Sequence, residues 1–180
     1  MADQEPASGS NGSGENNGEA QVSILAQYVK DLSVESPSAP QVFSWQVQPG
    51  LDVQFNIGVN AAGDGVHEVM LKIDVSARSE NGVHFVVDLS YAGLFGLRNL
   101  PEEALQPFLL IEAPRLLFPF ARQIVAEAVS NTGFPPLLLD PIDFAGAYMS
   151  QLQAQQGQTE GGAGSFALGG GPTGEGTGNA

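Results

Sequence analysis

Three stretches of the chain alternate apolar and polar residues with a period of two. Leu51, Val53, Phe55, Ile57 and Val59 alternate with Asp52, Gln54, Asn56, Gly58 and Asn60. Val69, Leu71, Ile73, Val75 and Ala77 alternate with Glu68, Met70, Lys72, Asp74, Ser76 and Arg78. A third run sets Val83, Phe85, Val87, Leu89 and Tyr91 against His84, Val86, Asp88, Ser90 and Ala92. Successive side chains of a strand point to opposite faces, so each run predicts a strand with one apolar and one polar side. The connections, Gly63-Asp64-Gly65 and Ser79-Glu80-Asn81-Gly82, have room only for hairpins, which makes the sheet antiparallel. Earlier in the chain, Leu32 and Val34 alternate with Asp31, Ser33 and Glu35, predicting a short fourth strand over 29–35 with an acidic face. Ser36-Pro37-Ser38-Ala39-Pro40 breaks it, and Val42, Phe43 and Trp45 then predict an extended apolar segment, an edge, as far as a turn at Pro49-Gly50.

After Gly93-Leu94-Phe95-Gly96 the period changes to 3.6. Leu100-Pro101-Glu102-Glu103 carries the proline and acidic first turn of a helix start, which Pro107 should interrupt. From Pro114 to Thr132, Leu116, Leu117, Phe120, Ala121, Ile124, Val125, Ala128 and Val129 recur at three- and four-residue spacing. They predict a helix of roughly 28 Å with only a narrow wet stripe, more apolar surface than one sheet covers. Two partners are expected, a sheet below and another subunit beside. Pro119 should bend or fray its first turns, and Gly133 with Phe134-Pro135-Pro136 should stop it. Leu137-Leu138-Leu139, an entry at Asp140-Pro141 and a last helix from about Ile142 to Gln155 complete the pattern. Strands first and helices afterwards give an α+β fold, a four-stranded antiparallel sheet followed by helices packed on one face.

Composition marks out the ends. Residues 1–20 hold four acids, no base and no large apolar residue beyond Met1, and 156–180 are dominated by Gly, Thr, Gln and Ala. Both are expected to be disordered tails around a core of 21–155. The net charge is −14, of which fourteen acids and six bases in the core leave −8. Nucleic acid and anionic membrane surfaces are therefore disfavoured and a basic partner favoured, although such charge also serves solubility alone. No cysteine is present, which excludes disulfides and thiolate sites. Neither a signal peptide nor a membrane span is legible, so a cytoplasmic protein is expected.

Catalytic groups are scarce. His67 and His84 have no partner at metal-ligand spacing and read as structural histidines. Asp31 and Glu35 share a strand face but stand roughly 13 Å apart, too far for a glycosidase pair. Gly169-Gly170-Gly171-Pro172-Thr173-Gly174 matches a dinucleotide-binding fingerprint only by letters, and Asn11-Gly12-Ser13 is a glycosylation pattern without export context. No enzyme, cofactor or metal is implied. What stands out is surplus apolar surface on an acidic chain, which oligomerisation or a groove for apolar ligands or peptides would explain.

The succession Lys30-Asp31-Leu32-Ser33-Val34-Glu35-Ser36-Pro37, Ala39-Pro40 with Val42-Phe43, Glu68-Val69 with Leu71, Phe118-Pro119-Phe120-Ala121-Arg122, Gly133-Phe134-Pro135 and Leu139-Asp140-Pro141-Ile142-Asp143-Phe144 resembles the SecB family of bacterial export chaperones. The similarity runs from about Val22 to Leu152. It implies a homotetramer, a dimer of dimers, that holds unfolded preproteins in surface grooves without ATP and passes them to the motor SecA. By that resemblance the basic, zinc-containing tail of SecA would dock on an acidic sheet face comprising Asp31, Glu35, Val86 and Asp88. In the family glutamate is common at the position of Asp88 and leucine at that of Val86. Phe43, Trp45, Leu51, Val53, Phe55 and Phe144 are candidates for the client groove, the competing reading being ordinary core or interface. The alternatives from other classes are a small-ligand carrier and a purely structural oligomer.

Overall fold

The computed structural model describes residues 18–156 and 166–169. The expected N-terminal tail thus lies almost wholly outside the described residues, as does most of the C-terminal one. The sheet consists of β1 (Gln21–Glu35), β2 (Gly50–Gly63), β3 (Val66–Ser79), β4 (Gly82–Arg98) and a short β5 (Phe166–Gly169), in the order β1-β4-β3-β2-β5 with every pair antiparallel. Four strands were expected, the first of them short; the fifth arises from residues read as disordered tail. Helices α1 (Glu102–Pro107), α2 (Ala113–Asn131) and α3 (Phe144–Gln156) follow β4, and the apolar sheet face lies under α2.

The alternation places Val69, Leu71, Ile73, Val75 and Ala77 of β3 beside Phe85, Val87, Leu89 and Tyr91 of β4, all buried on the helix side. Leu117, Ala121, Val125 and Val129 of α2, four residues apart, close onto them with no exposure at all. β1 is longer than its period suggests. Two irregularities in its pairing with β4, between Ile24 and Ala26 and between Val29 and Asp31, shift the facing pattern, so one continuous strand of 15 residues reads as two unlike segments.

β1 and β2 lie on opposite sides of the β4-β3 pair, so the chain between them must cross the end of the sheet. For that reason Gln41–Ser44 forms a 3-10 turn, preceded by a cis Ala39-Pro40 bond, and not the extended edge expected there. Nor does β4 end at Gly93. It continues to Arg98 because Gly93 and Gly96 stay in the ladder, opposite Gln27 and Ser23 of β1.

Pro107 does not break the helical run. The five residues that follow it, Phe108–Glu112, adopt π-helical geometry, with the Ala113 N–H bonded to the Phe108 carbonyl, and the chain passes straight into α2. Gly133, at φ 90°, ends α2, its N–H bonded to the Ser130 carbonyl at 3.0 Å. α3 begins at Phe144, two residues beyond the expected start, because the Asp143 carboxylate caps it by accepting the Gly146 N–H at 2.9 Å.

Gly93 is where the helix comes closest to the sheet. A Cβ there would lie 2.7 Å from a Leu117 methyl group and 2.8 Å from the Phe95 ring, both fully buried. Gly93→Val should therefore cost roughly 2–3 kcal/mol by overpacking, a fall in Tm of about 10 °C in a calorimetric scan.

Candidate functional site: the two faces of the sheet

The polar face gathers the acids. Antiparallel pairing sets Glu35 opposite Val86, Ser33 opposite Asp88 and Asp31 opposite Ser90, so Asp31, Glu35, Val86 and Asp88 share one face across two adjacent strands. Asp31 and Glu35 are exposed, and Val86 and Asp88 are half-buried. The face continues onto β3, where Asp74 stands directly opposite Asp88. Lys72 lies between them, its ammonium 3.1 Å from the Asp88 carboxylate and 3.4 Å from that of Asp74.

Partial burial raises the Asp74 pKa, the Asp88 charge raises it further, and Lys72 opposes both. The hydrogen bond to Asp88, followed by the Asp74 charge, holds the Lys72 ammonium above its ordinary value. Because Asp74 binds its proton more tightly folded than unfolded, its contribution to stability is full at acid pH. It is lost as pH rises through the raised value. Lys72→Met, which removes the opposing cation, should steepen that loss above the ordinary carboxylate range, and Asp74→Asn should flatten it, in Tm measured across pH.

Asp74 and Lys72 were not singled out by sequence. Both sat in the polar half of the β3 alternation, but only the strand order β1-β4-β3 reveals that they adjoin Asp88. Further along the same face Glu68 accepts bonds from Lys30, Tyr28 and Asn60. The Lys30 ammonium and then the Tyr28 hydroxyl keep the Glu68 carboxyl below its usual range, and the same contact raises the phenol of Tyr28.

The six groove candidates lie on the other side or at the sheet's end, in two aromatic groups. Phe43, 56% exposed, meets Phe134 at 5.6 Å between ring centroids, and Phe134 reaches Phe85 at 5.3 Å and His84 at 5.9 Å. Trp45 stands edge-on to His84 at 5.0 Å. His84 is buried and bonded to the Ser79 hydroxyl at 2.9 Å, while His67 is half-buried. Leu51, Val53 and Phe55 occupy the helix side of β2, opposite Ala77, Val75 and Ile73; Leu51 is exposed, and Val53 and Phe55 are half-buried.

Phe55 meets Phe118 edge-on at 6.3 Å, and Phe118 meets Phe144 at 6.2 Å. Phe144 is only 2% exposed. Its burial favours core, the competing reading, over an open groove lining, since α3 folds it down onto Phe118. Its ring instead underlies a cleft of about 660 Å³ between α2 and the chain entering α3, with Phe118, Pro119, Leu138, Arg115 and Arg122 among its walls.

A third apolar surface escaped attention because it combines the two unlike halves of β1. Val22, Ile24, Val29 and Leu32, all exposed, pair with helix-side residues of β4, and Leu116 and Phe120 are exposed on α2. A groove of about 350 Å³ between β1 and α2 is lined by Leu32, Val34, Ile124 and Ala128, with Glu127 at its side. Among the described residues no cluster of three metal-ligating side chains occurs, and no helix is long and apolar enough to cross a membrane.

Comparison with known proteins gives concordant results. The family described as preprotein translocase subunit SecB matches residues 15–155. A protein-export protein SecB of Sphingopyxis alaskensis is 54% identical over 164 residues, covering 89% of this chain and 95% of that protein. One from Zymomonas mobilis is 58% identical over 135 residues, covering 75% and 82% respectively. Among solved structures, a SecB-like chaperone of Mycobacterium tuberculosis in complex with a ChAD peptide from an antitoxin shares the fold at a TM-score of 0.56. It is 19% identical and covers 67% of this chain and 90% of the other.

Proposed function

Because the chain belongs to the SecB family, we propose that it is an ATP-independent chaperone of the cytoplasm that holds unfolded preproteins and delivers them to SecA. The observation that carries this reading is the chemical division of the sheet. Its acidic face suits the basic tail of the motor, and its helix side leaves large apolar groups, Phe43, Leu51 and Leu138 among them, open to a client. A sheet edge offers backbone hydrogen bonds to any extended chain, and apolar hollows beside it take side chains without strict sequence demands. Many weak contacts then add by multivalency. The working unit is a homotetramer, a dimer of dimers, for which the β1 and α2 surface supplies a contact. Asp31, Glu35, Val86 and Asp88 serve the motor, and Phe43, Trp45, Leu51, Val53 and Phe55 serve the client, with Phe144 supporting the cleft from below.

The test is refolding of a slow-folding preprotein with and without one equivalent of tetramer, in the absence of nucleotide, with mass read by light scattering. Refolding delayed near stoichiometry by a species of about four chains is the expected result. Unchanged refolding by a folded oligomer would sink the reading and favour a small-ligand carrier, for which the 660 Å³ cleft has room. Phe55→Asp sets a charge against Phe118 and should weaken client capture about 10-fold or more, with Tm as the check that the fold survives.

A further inference from the structure

We propose that the outer edge of β2 is a strand-accepting site for extended polypeptide with apolar residues at alternate positions, and that the chain's own segment Phe166–Gly169 occupies it as a displaceable stand-in. The inference rests on the chaperone reading and adds to it a self-occupied state. β5 pairs antiparallel with β2, Gln54 opposite Gly169, Phe55 opposite Leu168, Asn56 opposite Ala167 and Ile57 opposite Phe166.

This register is chemically matched. Phe166 and Leu168 are the only large apolar residues in 157–180, and they fall beside the two helix-side residues of β2, while the small Ala167 falls beside a polar-side one. A slip of one residue would put both large apolar groups at polar-face positions, so the pattern specifies this pairing and no other nearby. In the sequence Gly170-Gly171-Pro172 follows, a composition of low strand propensity.

The pairing is also weak by construction. Four residues gain only a few hydrogen bonds, whose net worth is no greater than the backbone entropy lost in ordering them. As a free peptide such a segment would bind only weakly. Only nine residues, 157–165, separate it from α3 in the sequence, and so short a covalent link gives an effective concentration in the millimolar range. That is enough to hold the edge without sealing it.

β5 covers only four of the fourteen residues of β2, and among the described residues no strand lies outside the remainder. A client can therefore begin pairing beside the tail segment and peel it away. Between clients the segment shortens an edge strand that would otherwise invite pairing between copies.

The experiment uses the full chain carrying Leu168→Asp and, separately, Ala167→Pro, which removes a backbone donor without adding charge. The probe is a labelled synthetic peptide of residues 160–175 of this chain, with unfolded preprotein in parallel and amide exchange read on Gln54–Ile57. If the segment is seated most of the time, both variants should bind the probe about 3- to 10-fold more tightly than the unaltered chain, and the outward β2 amides should exchange faster by a similar factor. Equal probe affinity with unchanged exchange, while all three forms still delay preprotein refolding, would overturn the self-occupied state and leave the chaperone reading standing. Failure of all three to delay refolding would overturn the chaperone reading, and this proposal with it.

Discussion

On the proposed dimer of dimers, Val29→Glu combined with Leu32→Glu should break the contact made through β1 and lower the mass of the assembly to that of a smaller species. Both residues are on the helix side of β1, 44% and 42% exposed, opposite Tyr91 and Leu89 of β4. β1 is a sheet edge 15 residues long, and an uncovered apolar edge of that length is a template for association. Phe120 on α2, 49% exposed and stacked on Tyr91, extends the same surface, and the groove between Leu32 and Ile124 is shaped for side chains from another copy. In a two-fold contact each substitution counts twice, so four carboxylates would enter an apolar surface, each desolvated at a cost of several kcal/mol. Even partial relief by solvent leaves at least ~4 kcal/mol, a weakening of about a thousandfold in the dissociation constant. Light scattering across a dilution series would read the mass, and far-ultraviolet circular dichroism would verify that each chain stays folded. An unaltered mass would place the subunit contact elsewhere.

Why this surface escaped a reading of the sequence is instructive. The alternation in β2, β3 and β4 holds through their apolar runs, because the irregularities in the β2–β3 and β3–β4 pairings fall at the runs' ends, between Ala61 and Gly63 and between Ala77 and Arg78. β1 carries two pairing irregularities in fifteen residues, and each one moves the apolar set to the other parity. Val22 and Ile24 therefore share a face with Val29 and Leu32 in space while sharing no period along the chain. Local rules also misplace Gly93 and Gly96, where the period changes in the sequence although both stay in β4; Gly93 is required by the close approach of Leu117, whereas a Cβ at Gly96 would make only an ordinary contact with Leu25. Pro107 looks like a break, yet a π-helical turn carries the chain through it.

The site divides in the same way. Asp31, Glu35, Val86 and Asp88 were assigned together by resemblance, and the strand register brings them onto one face. Asp74 and Lys72 could not be added without the order of strands. Phe144 has an aromatic ring in an amphipathic-looking helix, but its burial depends on how α3 meets Phe118, a tertiary fact with no local signature. The pairing of Phe166–Gly169 with β2 is likewise non-local, set by a match between two alternations more than a hundred residues apart.

Asp31→Lys with Glu35→Lys should abolish most binding of a basic motor tail while leaving the oligomer and client capture intact. The acidic face is the opposite side of the sheet from the surface of Val29 and Leu32, so the two sets of changes are separable. Lys72 already neutralises much of the Asp74 and Asp88 pair, which leaves Asp31 and Glu35 as the acids most available to an incoming cation. Each reversal removes an attraction and adds a repulsion. At exposed positions that amounts to roughly 1–1.5 kcal/mol apiece, and the pair together to about a hundredfold in affinity at low salt. Added salt should narrow the gap between the two proteins, because the lost interaction is screened coulombic attraction. Lys72→Met should act in the opposite sense and tighten binding a few-fold, since it frees two carboxylates on the same face. Calorimetric titration with a synthetic basic, zinc-loaded tail peptide at two salt concentrations would measure all three. Affinity that ignores both the reversals and the removal of Lys72 would mean that the acids of this face are only solvated and that the motor docks elsewhere.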